Sequence, residues 1–150
     1  MRLKGSCHCG AVRFSVASST PYPYLWCYCS ICRKTAGGGG YAINLMGEAK
    51  TLKVKGERNL AVYKPMQGKR TFCRKCGSAL WVWDRRWKDW IYPFASAIDS
   101  KLPAPKERQH IFLDSKPAWV GVPKGKGNRR FARYPREGIA DWHRKRGLAR

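Results

Sequence analysis

Trp26-Cys27-Tyr28-Cys29-Ser30-Ile31-Cys32-Arg33-Lys34 places three thiols within six residues, at C-x-C-x-x-C spacing, and follows them with two cations. The chain has four other cysteines, in two pairs, Cys7/Cys9 and Cys73/Cys76. Four thiolates complete a tetrahedral zinc site, whereas three leave one position free. Seven cysteines therefore divide as four plus three, for two zinc ions in all. Cys73-x-x-Cys76 has the spacing of half a zinc ribbon, and Cys7/Cys9 is the pair left to complete a structural site. Cys27, Cys29 and Cys32 remain for a zinc that does chemistry. The rival pairing, Cys73/Cys76 with two thiols of the triplet, leaves Cys7 and Cys9 short of ligands.

Metal binding is favoured over disulfides on three grounds. The start, Met1-Arg2-Leu3-Lys4-Gly5-Ser6-Cys7, runs straight into a motif without the apolar stretch of an export signal, so a reducing cytoplasmic setting is expected. Clustered cysteines in that setting are usually metal ligands. A C-x-C pair points both side chains to one side of an extended strand, too close for a relaxed disulfide, and an odd count leaves one thiol over.

With 150 residues, 43% hydrophobic and 13% aromatic, the chain has the size and composition of one domain with a real core. Its apolar runs are short and broken by Lys, Arg or Pro, so no transmembrane helix is expected. Val12, Phe14 and Val16 alternate with Arg13 and Ser15, which predicts a strand from Leu3 to Val16 interrupted by the C-x-C turn. Further strands are predicted at Tyr41–Leu45, Thr51–Lys55, Leu60–Tyr63, Arg70–Phe72 and Ala79–Trp83, with an apolar segment from Trp90 to Ile98 kinked at Pro93. His110–Leu113 and Ala118–Val120 read as a last pair of strands or extended pieces. Short strands with frequent turns predict a mainly β domain. After Pro123 the composition turns basic, which sets 123–150 apart as a C-terminal tail, partly disordered, with a short helix near Ile139–Arg146.

The charge balance, 31 Lys+Arg against 9 Asp+Glu, leaves a formal +22. Such a chain favours anionic partners: a small acidic thiol, an acidic lipid surface or nucleic acid. A zinc on three thiolates has weakened Lewis acidity, so its vacant position suits another thiol better than hydroxide. Arg33, Lys34, Arg74 and Lys75, beside the cysteines, could hold the carboxylates of such a thiol, or be solvated surface charges. His8 reads as a surface residue between two ligands. His110 could move a proton if it faced the site, though a histidine at a strand start is usually structural. Gly37–Gly40 reads as a sharply turned loop, without the Gly-Lys-Ser/Thr ending of a P-loop. An alternative is a non-catalytic zinc-binding β module whose basic surface meets nucleic acid.

Gly5-Ser6-Cys7-His8-Cys9-Gly10 with Val12 and Phe14, Cys27-x-Cys29-x-x-Cys32-Arg33, Phe72-Cys73-x-x-Cys76-Gly77 and His110-Ile111-Phe112 with Ala118-Trp119 resemble the glutathione-dependent formaldehyde-activating enzyme family, or CENP-V/GFA domain. The resemblance spans residues 3–122. It implies an Mss4-like fold, a structural zinc on Cys7, Cys9, Cys73 and Cys76, and a catalytic zinc on Cys27, Cys29 and Cys32. It also implies a carbon–sulfur lyase that combines glutathione with formaldehyde.

Overall fold

The computed structural model describes residues 1–148. The chain begins with β1 (Arg2–Ser6), β2 (Arg13–Ala17), β3 (Tyr24–Cys27), α1 (Ser30–Ala36), β4 (Ala42–Asn44), β5 (Gly47–Glu48) and β6 (Lys53–Lys55). It continues with β7 (Leu60–Tyr63), β8 (Lys69–Cys73), β9 (Ala79–Trp83), β10 (Trp90–Pro93), β11 (Arg108–Ile111), β12 (Asn128–Arg130) and α2 (Ile139–Lys145). Among the described residues, twelve short strands against two α-helices of seven residues each make the domain mainly β, as the turn-rich sequence implies.

Three sheets carry the fold. β1, β2 and β6 form an antiparallel sheet in which Leu3 faces Val16 and Gly5 faces Phe14. Their apolar side chains alternate with exposed Arg2, Lys4 and Arg13, the period of a half-buried strand. The second sheet is antiparallel in the order β5-β10-β9-β8-β7. Leu3, Val12, Phe14 and Val16 pack with Leu80, Trp81 and Ile91 of that sheet, and the Phe14 and Trp81 rings meet edge-on at 5.1 Å. Burial of a side chain of this kind is worth roughly 1.5–3 kcal/mol each, which makes this core the main source of stability. Cys7 and Cys73 sit inside it.

The third sheet, ordered β12-β11-β3-β4, positions the cysteine triplet. β11 lies between two parallel neighbours, with Ile111 opposite Cys27 on β3 and His110 opposite Arg130 on β12. Because side chains alternate across a sheet, Leu25 and Cys27 share a face with Gln109 and Ile111, while Trp26 and His110 share the other.

Several elements differ from the sequence reading. β3 and α1 occupy a stretch to which the sequence reading assigns neither strand nor helix. Ala118–Val120 is a turn, closed by the Val120 N–H on the Pro117 carbonyl at 3.1 Å. The basic segment after Pro123 is folded through to Leu148: it supplies β12 to the third sheet and packs α2 by burying Trp142 and His143.

Candidate metal centre and its cavity

Two cysteine groups assemble in space with the membership that spacing predicts. The ligand atoms of Cys7, Cys9, Cys73 and Cys76 lie within 4.8 Å of one another, and so do those of Cys27, Cys29 and Cys32. All seven thiols are free.

The first group is built from two knuckles of the same design. Cys7 directly follows β1, its N–H bonded to the Val12 carbonyl at 3.0 Å, and Gly10 then turns the chain with φ +73°. Cys73 ends β8, its N–H bonded to the Ser78 carbonyl at 3.0 Å, and Gly77 turns with φ +74°. Both turns need the left-handed region, which glycine enters without penalty. Sulfur–sulfur distances are 3.6 Å for Cys7–Cys9 and 3.8 Å for Cys9–Cys73. A tetrahedral zinc with Zn–S near 2.3 Å sets its sulfurs about 3.8 Å apart, so this donor set fits a closed zinc site. The Ser78 hydroxyl, 3.2 Å from the Cys76 sulfur, is the leading cause that holds the Cys76 thiol down at about 5. His8 lies exposed between two of the cysteines.

The second group forms where β3 hands over to α1. Cys27 is the last residue of the strand; Cys29 is the helix N-cap, its sulfur accepting the Cys32 N–H at 3.4 Å; Cys32 is buried one turn in. Hydrogen bonds with Cys27 and Cys32 pull the Cys29 thiol down to about 2, and hydrogen bonds with Cys29 and Cys32 push the Cys27 thiol far up. The three sulfurs thus compete for one negative charge, and a divalent cation is what allows such a set to ionise together. Three soft donors at this separation fit zinc with a fourth position to spare.

These sulfurs floor a cavity of about 480 Å³. Leu25, Gln109 and Ile111 of the third sheet line one side, and Val82, Trp87 and Tyr92 another. The remaining wall is Arg133, Tyr134, Pro135, Glu137 and Ile139, all from the basic C-terminal segment. Arg133 pairs with Asp114 at 3.0 Å, and Glu137 with Lys145 at 2.8 Å. Tyr134 is largely exposed, yet desolvation, and then the neighbouring Cys27 and Cys29, raise its phenol above the ordinary value.

The cations nominated from sequence are placed elsewhere. Arg33, Lys34, Arg74 and Lys75 are absent from the cavity lining, and Arg74 spends its guanidinium on the Leu60 carbonyl at 2.7 Å. The cations that reach the cavity are Arg70, which in sequence lies close to Cys73 of the other group, and Arg133, far from any cysteine. His110 points to the opposite face of its sheet, fully buried between the Tyr28 hydroxyl (2.9 Å) and the Asn128 amide oxygen (3.0 Å). It is a structural histidine. Gly37–Gly40 makes a packed turn in which a side chain at Gly40 would strike Val120 and Trp119.

A family model described as glutathione-dependent formaldehyde-activating enzyme matches residues 2–115. A Halomonas elongata protein, provisionally named a glutathione-dependent formaldehyde-activating enzyme, is 56% identical over 154 residues, covering 99% of this chain and 98% of its own. The crystal structure of a Rhodobacter sphaeroides protein aligns with a TM-score of 0.57 at 30% identity, covering 67% of this chain and 91% of that one. The cavity wall from Arg133 to Ile139 lies beyond the residues that the family model matches.

Proposed function

The chain belongs to the glutathione-dependent formaldehyde-activating enzyme family, and we propose that it is a zinc-dependent carbon–sulfur lyase joining glutathione, or a related small thiol, to formaldehyde. In that reaction the thiol sulfur bonds to the carbonyl carbon, the C=O π pair moves to oxygen, and the thiol proton ends on that oxygen. No oxidant or reductant is needed. The reading rests above all on one contrast: the three-cysteine group floors the cavity, while the four-cysteine group is built into knuckles that do not line it.

Cys7, Cys9, Cys73 and Cys76 would hold a structural zinc, and Cys27, Cys29 and Cys32 a catalytic one. A zinc on three thiolates, when bound, supplies a vacant position that lowers the pKa of an incoming thiol. The chain's own residues do the rest. Trp87 and Tyr92 wall the cavity with apolar surface that limits access of water to the sulfurs. Arg133 and Glu137 present opposite charges on one wall, suited to a thiol peptide that carries both carboxylates and an ammonium. Residues 3–122 act here as the zinc-binding domain, with 123–150 as an extension that completes its cavity. Seven free thiols are in keeping with a reducing cytoplasm. The nucleic-acid alternative gains no support from the family.

The test is a glutathione titration of protein whose zinc content is measured on the same sample, with cobalt in place of zinc to report sulfur binding. Two metals per chain and a new sulfur-to-cobalt band on adding glutathione are expected. One metal per chain, or a spectrum indifferent to glutathione, would sink the reading.

A further inference from the structure

Arg70 is the single Lys or Arg buried among the described residues, at 7% exposure. No ion pair within those residues reaches it. A buried charge without a counter-charge is among the costliest features a fold can hold, so its surroundings should contain an anion. One guanidinium nitrogen, Nη1, donates to the Gln67 and Gly68 carbonyls, the latter at 2.6 Å. The other, Nη2, points at the Cys32 sulfur at 3.4 Å. Nε is buried and without a partner.

The cradle for this group is specific. Gly68 has φ +67°, and a Cβ there would come within 2.5 Å of Arg70 Nη1 and 2.8 Å of Val82. The Asp84 carboxylate accepts the Gly68 N–H at 2.8 Å and fixes that turn. A small residue, a pinned turn and two carbonyls thus hold the guanidinium against one sulfur of the triplet.

We propose that Arg70 is a positioning residue that balances the charge of the three-cysteine centre by donating to the Cys32 thiolate. This rests on the reading that Cys27, Cys29 and Cys32 hold a zinc. Three thiolates on a divalent ion leave one excess negative charge, and a fourth thiolate leaves two. One fixed guanidinium offsets half of that final charge. Through a charge-assisted hydrogen bond it also withdraws electron density from Cys32, which leaves the ion more attractive to an incoming thiol. Arg70 therefore acts at the metal through Cys32 and need not touch substrate.

The experiment compares the zinc-loaded parent with Arg70→Gln and Arg70→Lys. It follows zinc release to a chelator and the sulfur-to-cobalt band of the cobalt-loaded proteins. In Arg70→Gln, one of two zincs should leave about tenfold faster or more, the cost typical of losing a partner to a metal ligand. The cobalt band should shift to lower energy, because Cys32 becomes the stronger donor, and the other zinc should be retained. Arg70→Lys, which keeps the charge and loses the fork, should fall between the two. Release and spectrum unchanged in Arg70→Gln would overturn the proposal. If Arg70→Gln fails to fold, Arg70→Lys decides: parent-like release overturns it, and accelerated release of one zinc with a shifted cobalt band supports it. A parent that binds a single zinc instead refutes the reading of the centre, an outcome distinct from failure of the Arg70 role.

Discussion

The Trp142 indole N–H donates to the Glu107 carboxylate at 2.9 Å and ties α2 to the start of β11. Glu107 is a hub: it also accepts from the Gln109 amide at 3.0 Å and pairs with Arg129 at 3.3 Å. The contact holds the C-terminal wall over the cysteine triplet. Trp142→Ala should cost about 3–5 kcal/mol, the range for emptying a buried aromatic site. Trp142→Phe, which keeps most of the ring and loses the bond, should cost nearer 1–3 kcal/mol. Urea unfolding measures both, and each variant should raise KM for the thiol while binding two zincs. A parent-like KM in Trp142→Ala would show that the wall does not depend on this tie.

The two cysteine groups should respond differently to loss of one sulfur. Cys73 is fully buried in the main core, so Cys73→Ser removes a ligand and leaves a hydroxyl where the core needs sulfur. Soluble expression should collapse. Cys29 is half-exposed at the cavity floor, and Cys29→Ser keeps a residue well able to cap α1. Its protein should fold, bind one zinc and be inactive. Equal collapse of both variants would contradict the four-plus-three division.

His110 predicts a pH dependence of stability. Burial, its main influence, holds its pKa below the ordinary value near 6.5. The unfolded chain therefore takes up the proton at higher pH than the folded one, and stability rises with pH across that interval. The His110 contribution is complete above about pH 6.5 and declines as pH falls through the folded pKa. His143, bonded to the Tyr22 carbonyl and also lowered by burial, acts with the same sign. His110→Gln should lose less stability than the parent between about pH 7.5 and 5 in denaturant titrations. Identical losses would rule His110 out as a source.

Tyr134 stands over the sulfurs from the C-terminal wall and packs edge-on against Phe112 at 4.6 Å. Its side chain is largely exposed, so Tyr134→Ala should change stability by less than about 1 kcal/mol. KM for the thiol should rise severalfold with both zincs retained. Unchanged kinetics would remove Tyr134 from the binding surface.

The cysteine groups were legible because metal knuckles are local. Ligand spacing and a following glycine are written within five residues, and Cys7–Gly10 and Cys73–Gly77 both display them. β3 was not legible. Tyr24 and Cys27 are buried and the two residues between them are half-buried, so no alternation shows, and its neighbour β11 lies more than eighty positions away. The cavity cations failed for a related reason. Arg33 and Lys34 adjoin Cys32 in sequence, yet neither lines the cavity, whereas Arg70 arrives from a different sheet. The basic C-terminal segment read as a tail because charge dominates its composition. Only Trp142 and His143 are buried in its helix, and Glu107, which holds Trp142, lies 35 positions earlier.

The sulfur floor and the wall facing it come from different stretches of chain, and the wall stretch falls outside the span that the family model matches. On the proposed function, the reactive sulfurs and one of the walls that select the thiol would be carried on separable pieces. Exchange of residues 133–139 between relatives would then retune which thiols are admitted while the seven cysteines stay untouched.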